Sequence, residues 1–222
     1  MFDWRWDFTF EILPRLLQAT LNTLAAAGIG YGIAVVLGLV FALAQRTPSR
    51  IVTMVVRECV EFIRSTPLVL QIFFVFFVGP QFGIRLSPWV AGMIAIGLHY
   101  SAYLSEVYRG GLESVPKGQW EACTALNLST TKTYFRVIIP QALPPSMAGM
   151  GNYLVGIFKD TPMLSVIGVA ELMQAANAIG GSTYRYLEPY TMVGIIFLAI
   201  SLPAAGLIKL FEAWVRKKLG MN

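Results

Sequence analysis

The sequence has little charge, and this sets its class. Only 13% of its 222 residues are Asp, Glu, Lys or Arg, whereas 56% are hydrophobic. A soluble domain of this length carries more charge, so we expect an integral membrane protein. The formal net charge is +5, but the basic residues occur singly between apolar runs and form no continuous stripe. Nucleic acid is therefore not expected as a partner.

Cysteine, histidine and the common catalytic sequences are also scarce or missing. Cys59 and Cys123 lie far apart in the chain and both fall on the side assigned below to the cytoplasm, so no disulfide is expected. One histidine, His99, cannot form a metal cluster, and no H-E-x-x-H or G-x-S-x-G sequence occurs. The phosphate-binding sequence G-x-x-x-x-G-K-[ST] is absent as well. We expect a chain without catalytic residues, without a bound metal or cofactor, and without its own ATPase activity.

Long apolar runs dominate what is present, and they predict an all-α membrane protein. A helix needs about 20 apolar residues to cross the hydrocarbon core. Five spans are predicted, over about 16–44, 60–80, 88–108, 138–158 and 190–210. The run from Leu68 to Val78 is short for a span, so its helix is expected to begin before Pro67 and to be kinked there.

The remaining segments are assigned around these spans. Residues 1–15 are rich in aromatics and predicted to lie at the membrane interface, 16–212 form the membrane domain, and 213–222 form a basic tail. The segment from Lys159 to Gly168 is predicted to be re-entrant or to lie at the rim, and Glu171 to Tyr186 to form an outer loop. The glycines Gly28, Gly30 and Gly32 indicate close helix packing, because no strand precedes them as a dinucleotide-binding turn would require.

The distribution of Lys and Arg predicts the orientation in the membrane. Twelve of the 17 basic residues fall on the side that includes residues 109–137 and the C-terminus, and five fall on the other side. The positive-inside rule then places the N-terminus outside and the C-terminus in the cytoplasm.

A polar loop over 117–137 separates the third and fourth spans. Residues from Gln119 to Leu126 contain no helix breaker and are followed by Asn127, which tolerates the left-handed conformation that ends a helix. Ser129 is a candidate N-cap for a second helix. The loop is therefore predicted to form a helix, a tight turn and a helix at the membrane rim, a shape suited to docking another protein.

This loop resembles the "EAA" loop of ABC importer permeases. The matching residues are Glu121-Ala122-Cys123, Asn127 and Val137-Ile138-Ile139-Pro140, and the surrounding sequence, including Gly118-Gln119, resembles the branch that imports polar amino acids and opines. Cys123 and Asn127 stand where the family has alanine and glycine. Cysteine keeps a small side chain at its position, and asparagine can still adopt the left-handed turn that glycine would form.

The resemblance implies a type I ABC importer fold with short cytoplasmic coupling helices in a bacterial inner membrane. It implies that Gly118, Glu121, Ala122, Cys123, Asn127 and Pro140 contact a cytoplasmic ABC ATPase, which would bind the ATP. A second permease subunit, identical or homologous, and an extracytoplasmic solute-binding protein would complete the assembly. The substrate would be a small polar molecule, and Leu187-Glu188-Pro189-Tyr190-Thr191 is similar to permeases for ectoine and hydroxyectoine.

Six residues are candidates for the substrate path or gate. By resemblance these include Arg64 and Thr66, in a signature before the second core helix, and Lys159, Asp160 and Thr161, before a helix beside the path. Each set has an alternative to a path role. Arg57, Glu61 and Arg64 have the spacing of ion pairs on a solvated helix face. Lys159 and Asp160 would then form a neutral pair at a helix end. His99 lies within a span, where it either contacts a polar substrate or is hydrogen-bonded within the bundle.

Two functions of different classes follow from these observations. One is the permease subunit of a binding-protein-dependent importer. The other is a membrane scaffold that does not transport but recruits a cytoplasmic partner through residues 117–140. An ion-coupled secondary transporter is less favoured, because five spans do not divide into equal repeats.

Overall fold

The computed structural model describes residues 4–218, and all regular elements in that range are helical, which confirms the all-α prediction. Residues 1–3 of the predicted N-terminal segment and 219–222 of the basic tail lie outside the described range. The helices are α1 (Trp6–Ala44), α2 (Arg50–Ser65), α3 (Leu68–Phe73), α4 (Pro88–Glu113), α5 (Lys117–Ala125), α6 (Thr130–Lys132), α7 (Ile139–Asp160), α8 (Leu172–Thr183) and α9 (Leu187–Lys218).

Helix α4 is the centre of the bundle and packs along α1 and α7. Small residues allow this approach. A methyl group added to Gly30 would lie 2.8 Å from Cγ2 of Ile96, and one added to Gly38 would lie 2.9 Å from Cβ of Leu104. Gly28 and Gly32 face open space. The predicted packing role of the glycine series is therefore confirmed for Gly30 and is wrong for its two neighbours.

The break at Pro67 is a corner rather than a kink. Helix α2 ends at Ser65, and the segment from Leu68 to Phe82 leaves at 106° to it. The prediction of one kinked helix through Pro67 is therefore wrong. Pro67 disfavours a helical conformation of Thr66, which has φ −106° and ψ 137°. Gln71 fixes the corner, because its amide donates to the carbonyl of Ile63 (2.8 Å) and to the Thr66 hydroxyl (2.6 Å).

Two described helices are long and apolar enough to cross a membrane, Trp6–Ala44 and Leu187–Val215. Two bent pairs, α2 with Leu68–Phe82 and Thr130–Ile167 with α8, raise the number to four by length and composition. The remaining predicted span, 88–108, lies in α4, most of which is buried by its neighbours. Polar side chains of a membrane helix can be accommodated between neighbouring helices, and α4 buries His99, Ser101 and Ser105 in this way. The count of five spans stays a prediction.

Most of the segment predicted as a loop, Glu171 to Tyr186, is the helix α8 (Leu172–Thr183). The Glu171 carboxylate is fully buried and caps α8, accepting hydrogen bonds from the backbone N–H groups of Met173 (2.9 Å) and Gln174 (2.7 Å). The preceding residues Thr161–Ile167 form a 3₁₀ turn that ends at Gly168, whose φ is +79°. The buried cap Glu171 therefore orders this part of the chain as a helix. In the sequence, the glycines at 180 and 181 had favoured a loop.

Candidate functional site

The loop after α4 forms the predicted helix, turn and helix. Helix α5 ends with Asn127 at φ 50°. The N–H of Asn127 donates to the carbonyl of Thr124 (2.9 Å), and that of Leu128 donates to the carbonyl of Cys123 (3.0 Å). This is the Schellman pattern of hydrogen bonds. The prediction that Asn127 takes the left-handed conformation is confirmed. Ser129 precedes α6 as its N-cap, but its side chain makes no capping hydrogen bond.

Helix α5 has an inner and an outer face. Cys123 is 3% exposed and Trp120 is half-buried, so these two residues anchor the helix to its own chain. Gly118, Glu121 and Ala122 are exposed, and Gly118 and Ala122 share one face at i, i+4. Of the predicted coupling residues, Cys123 therefore packs inside the chain, whereas Gly118, Glu121, Ala122, Asn127 and Pro140 are exposed.

Trp120 connects α5 to two other parts of the molecule. The Arg46 guanidinium lies 5.0 Å from its ring centroid, and the Tyr134 ring meets it edge-on at 5.5 Å. Tyr134 belongs to a π-helical turn, Thr133–Ile138, that leads into α7. Pro140 is exposed near the start of α7, where its missing N–H costs no helical hydrogen bond. A displacement of α5 would thus be transmitted to the end of α1 and to the base of α7.

A second candidate region is an aromatic cavity between α4 and α7. Its volume is about 590 Å³, within the usual range for small-molecule sites. Three tyrosine rings, Tyr100, Tyr103 and Tyr153, lie with centroids 5.5 to 6.1 Å apart. The His99 ring contacts Tyr100 and Tyr103. The lining is completed by Val107, Gly149, Asn152, Gly156 and Asp160.

Groups of opposite charge flank this cavity. The Tyr100 hydroxyl donates to the Asp160 carboxylate (2.7 Å). The Arg64 guanidinium lies 5.5 Å from the centroid of the Tyr103 ring, and the Tyr103 hydroxyl donates to the Arg64 carbonyl (3.2 Å). Among the described residues, Nε of Arg64 and Nδ1 of His99 are buried without a hydrogen-bond partner. The guanidinium of Arg64 also pairs with Glu61 at 3.5 Å.

The structure brings together three of the six predicted path residues and separates the others. His99 and Asp160 line the cavity, and Arg64 reaches it through Tyr103. Thr161 is fully buried and donates to the Phe158 carbonyl, and Thr66 belongs to the corner. Lys159 is exposed, and among the described residues it forms no ion pair with Asp160. A path role for Lys159, Thr66 and Thr161 stays a prediction.

Sequence reasoning missed the tyrosines. Tyr100 and Tyr103 are one helical turn apart, and His99 and Tyr103 are at i, i+4, so the spacing placed three rings near one face of α4. Tyr153 belongs to α7, and no spacing in the sequence indicated that it lies beside these rings. Of the two predicted ion pairs in α2, Arg64 pairs with Glu61 at 3.5 Å, whereas Arg57 and Glu61 form no ion pair in the described structure.

Comparison with known proteins identifies the family. Residues 34–217 match the family described as binding-protein-dependent transport system inner membrane component. The chain belongs to this family. It is 41% identical over 98% of its length to a probable amino-acid ABC transporter permease of Sinorhizobium fredii, of which it covers 97%. It is also 34% identical to the nopaline transport system permease of Agrobacterium fabrum, over 92% of this chain and 89% of that one.

Solved structures agree with this membership and with the type I ABC importer fold. An amino acid ABC transporter crystallised with histidines matches with a TM-score of 0.87 and 31% identity, covering 96% of this chain and 99% of that chain. An inward-facing methionine ABC transporter matches with a TM-score of 0.77 at 18% identity, covering 92% and 98% of the two chains, and supports the fold alone. The resemblance to ABC importer permeases of the polar amino acid and opine branch is thereby confirmed.

Proposed function

We propose that this chain is the membrane subunit of an importer for an amino acid or a related small zwitterion, which binds in the tyrosine cavity. The observation that carries the proposal is the pairing of opposite charges across one aromatic cavity. Asp160 and the rings of Tyr100, Tyr103 and Tyr153 suit a cationic group, and the guanidinium of Arg64, which lies against Tyr103 and pairs with Glu61, suits a carboxylate.

The chemistry of these groups favours a zwitterion over a neutral or singly charged molecule. Tyrosine faces attract a cation by about 0.5–2 kcal/mol each when water is excluded. A guanidinium binds a carboxylate through charge-assisted hydrogen bonds, which are about twice as strong as neutral ones. A neutral sugar would bring no opposite charge to either Asp160 or Arg64, whereas a zwitterion brings one to each.

Ectoine and hydroxyectoine are specific members of this substrate class. They combine a carboxylate with a delocalised cation, which matches the two ends of the cavity. The sequence from Leu187 to Thr191 supports them, as described above. Relatives named for nopaline, cystine and glutamine support amino acids and opines equally, so the substrate is proposed at the level of the zwitterion.

The proposal includes three partners and a bacterial inner membrane. A cytoplasmic ABC ATPase would bind the outer face of α5 at Gly118, Glu121 and Ala122, with Asn127 shaping the adjacent turn. Asn152, in the cavity lining, is exposed at the surface of the bundle, where a second permease subunit would close the cavity. An extracytoplasmic binding protein would deliver the substrate.

Uptake by reconstituted proteoliposomes tests this function. The complex, assembled with its ATPase and binding protein, should accumulate labelled zwitterions when ATP is enclosed, and unlabelled arginine, glutamine, cystine, betaine or ectoine should compete according to affinity. Neutral sugars should not compete. Lack of ATP-dependent uptake of any zwitterion, with normal binding of an ATPase to residues 117–140, would instead support the scaffold.

Cysteine labelling tests the proposed orientation. In a background without Cys59 and Cys123, a thiol at Lys132 should react with an impermeant maleimide only from the cytoplasmic side, and a thiol at Gly181 only from outside. Both positions are exposed, so each will react from one side. The reverse pattern would place α5 outside the cell and rule out an ATPase as its partner.

A further inference from the structure

The helix α2 has three faces, and two of them are not covered by the chain. Val60, 3% exposed, packs α2 against the bundle. A second face carries Ile51, Val55 and Phe62, which are 73%, 51% and 70% exposed. At about 100° per residue these three side chains form one apolar stripe. Such a stripe is unstable in water, so something apolar must cover it.

The third face of α2 is positively charged. Arg50 and Arg57, at i, i+7, are exposed and make no ion pair among the described residues. Together with Arg46 and Glu58 they line an open polar cavity of about 600 Å³ between α2 and the end of α1. Glu61 is engaged by Arg64. Three arginines against one free carboxylate leave this cavity suited to an anion.

Helix α2 thus combines a basic face with an apolar face. In helices of this kind the basic groups meet lipid headgroups and the apolar side chains meet acyl chains. Arginines in that position attract anionic headgroups.

We propose that α2 binds an anionic phospholipid of the surrounding bilayer, with Ile51, Val55 and Phe62 among the acyl chains and Arg46, Arg50 and Arg57 at the phosphate. A second copy of the chain fits less well. If two α2 helices met through their apolar stripes across a two-fold axis, Arg50 and Arg57, on a different face, would gain no anionic partner.

This lipid would occupy a position between the two candidate sites. One end of α2 is next to Arg46, which contacts Trp120 of α5, and the other end carries Arg64, which contacts Tyr103 at the cavity. The bound headgroup would therefore fix the helix that joins the coupling surface to the cavity.

Native mass spectrometry of the purified full-length chain tests the charged face, with phosphatidylglycerol and phosphatidylcholine as competing probes. An arginine near an anionic surface contributes about fivefold in binding, so the double variant R50Q/R57Q should bind phosphatidylglycerol about 25-fold more weakly. The matched variant R15Q/R85Q also loses two exposed arginines and should change by less than twofold. Equal retention of phosphatidylglycerol by wild type and R50Q/R57Q would overturn the proposal.

A nitroxide on Cys59 tests the apolar stripe. Cys59 is exposed, next to Val55 on the surface of α2, and Cys123→Ala removes the second thiol. In nanodiscs containing phosphatidylglycerol the label should collide more often with oxygen than with a water-soluble nickel complex. A label shielded from oxygen, with dipolar coupling to a label on another copy, would show that a second chain covers α2 and would overturn the proposal.

Discussion

Replacing Ala122 with tryptophan should abolish ATP-driven uptake while leaving the membrane fold intact. Ala122 is exposed on the outer face of α5, so an indole there has space within the chain itself. At a closed interface with an ATPase it would not have space. Overpacking costs about 1–3 kcal/mol, so we expect about a five- to 150-fold loss of ATPase affinity. Pull-down of the ATPase and uptake in proteoliposomes measure the two effects.

Two further variants distinguish a coupling defect from general damage. Ala213→Trp introduces the same bulk at an exposed position of α9 and should leave ATPase binding unchanged. Glu121→Lys reverses one exposed charge of α5 without adding bulk, and it should weaken the complex if the ATPase presents basic groups there. Wild-type uptake and ATPase binding by Ala122→Trp would mean that α5 is not the coupling element.

Replacing Asp160 with asparagine should weaken substrate binding severely. The substitution keeps the shape of the side chain and an acceptor for the Tyr100 hydroxyl, but it removes the negative charge opposite Arg64. A hydrogen bond to a charged group contributes about 1.5–3 kcal/mol, so KM for uptake should rise about ten- to 150-fold. Concentration-dependent uptake of a labelled zwitterion gives this value directly.

Matched variants separate the charge of Asp160 from its hydrogen bond. Asp7→Asn makes the same chemical change at an exposed residue that pairs with Arg5, outside the cavity, and should leave KM unchanged. Tyr100→Phe removes only the hydroxyl and should have a smaller effect than Asp160→Asn. If Asp160→Asn transports the zwitterion with wild-type KM, the cavity does not bind the cationic group and the substrate site lies elsewhere.

The local features of the coupling loop were predictable from sequence because neighbouring residues determine them. A helix without breakers, followed by a residue that tolerates positive φ, defines α5 and its end at Asn127. The sequence could not distinguish the two faces of α5. Cys123 and Ala122 are both small and adjacent, yet one is buried and the other exposed, since burial depends on where α7 and the end of α1 pass.

The errors of prediction concern geometry that side-chain contacts and burial decide. Pro67 indicated a break but not its angle, because the corner is held by Gln71, four residues later. The helix α8 was read as a loop, because its cap, Glu171, depends on burial in the bundle. Mean hydropathy also fails to identify α4 as a membrane span, because α4 contains polar residues that are enclosed by other helices.

The sequence by itself determined the membrane class, the helical composition, the helix, turn and helix of residues 117–137 and the family resemblance, because these depend on composition and on residues close together in the chain. Only the tertiary structure decided which candidate residues lie together. Asp160 and Arg64 were predicted separately, and the tyrosines on α4 and α7 that connect them were not recognised. A cavity between helices is formed by residues distant in sequence, and their common site becomes visible only when the helices are packed.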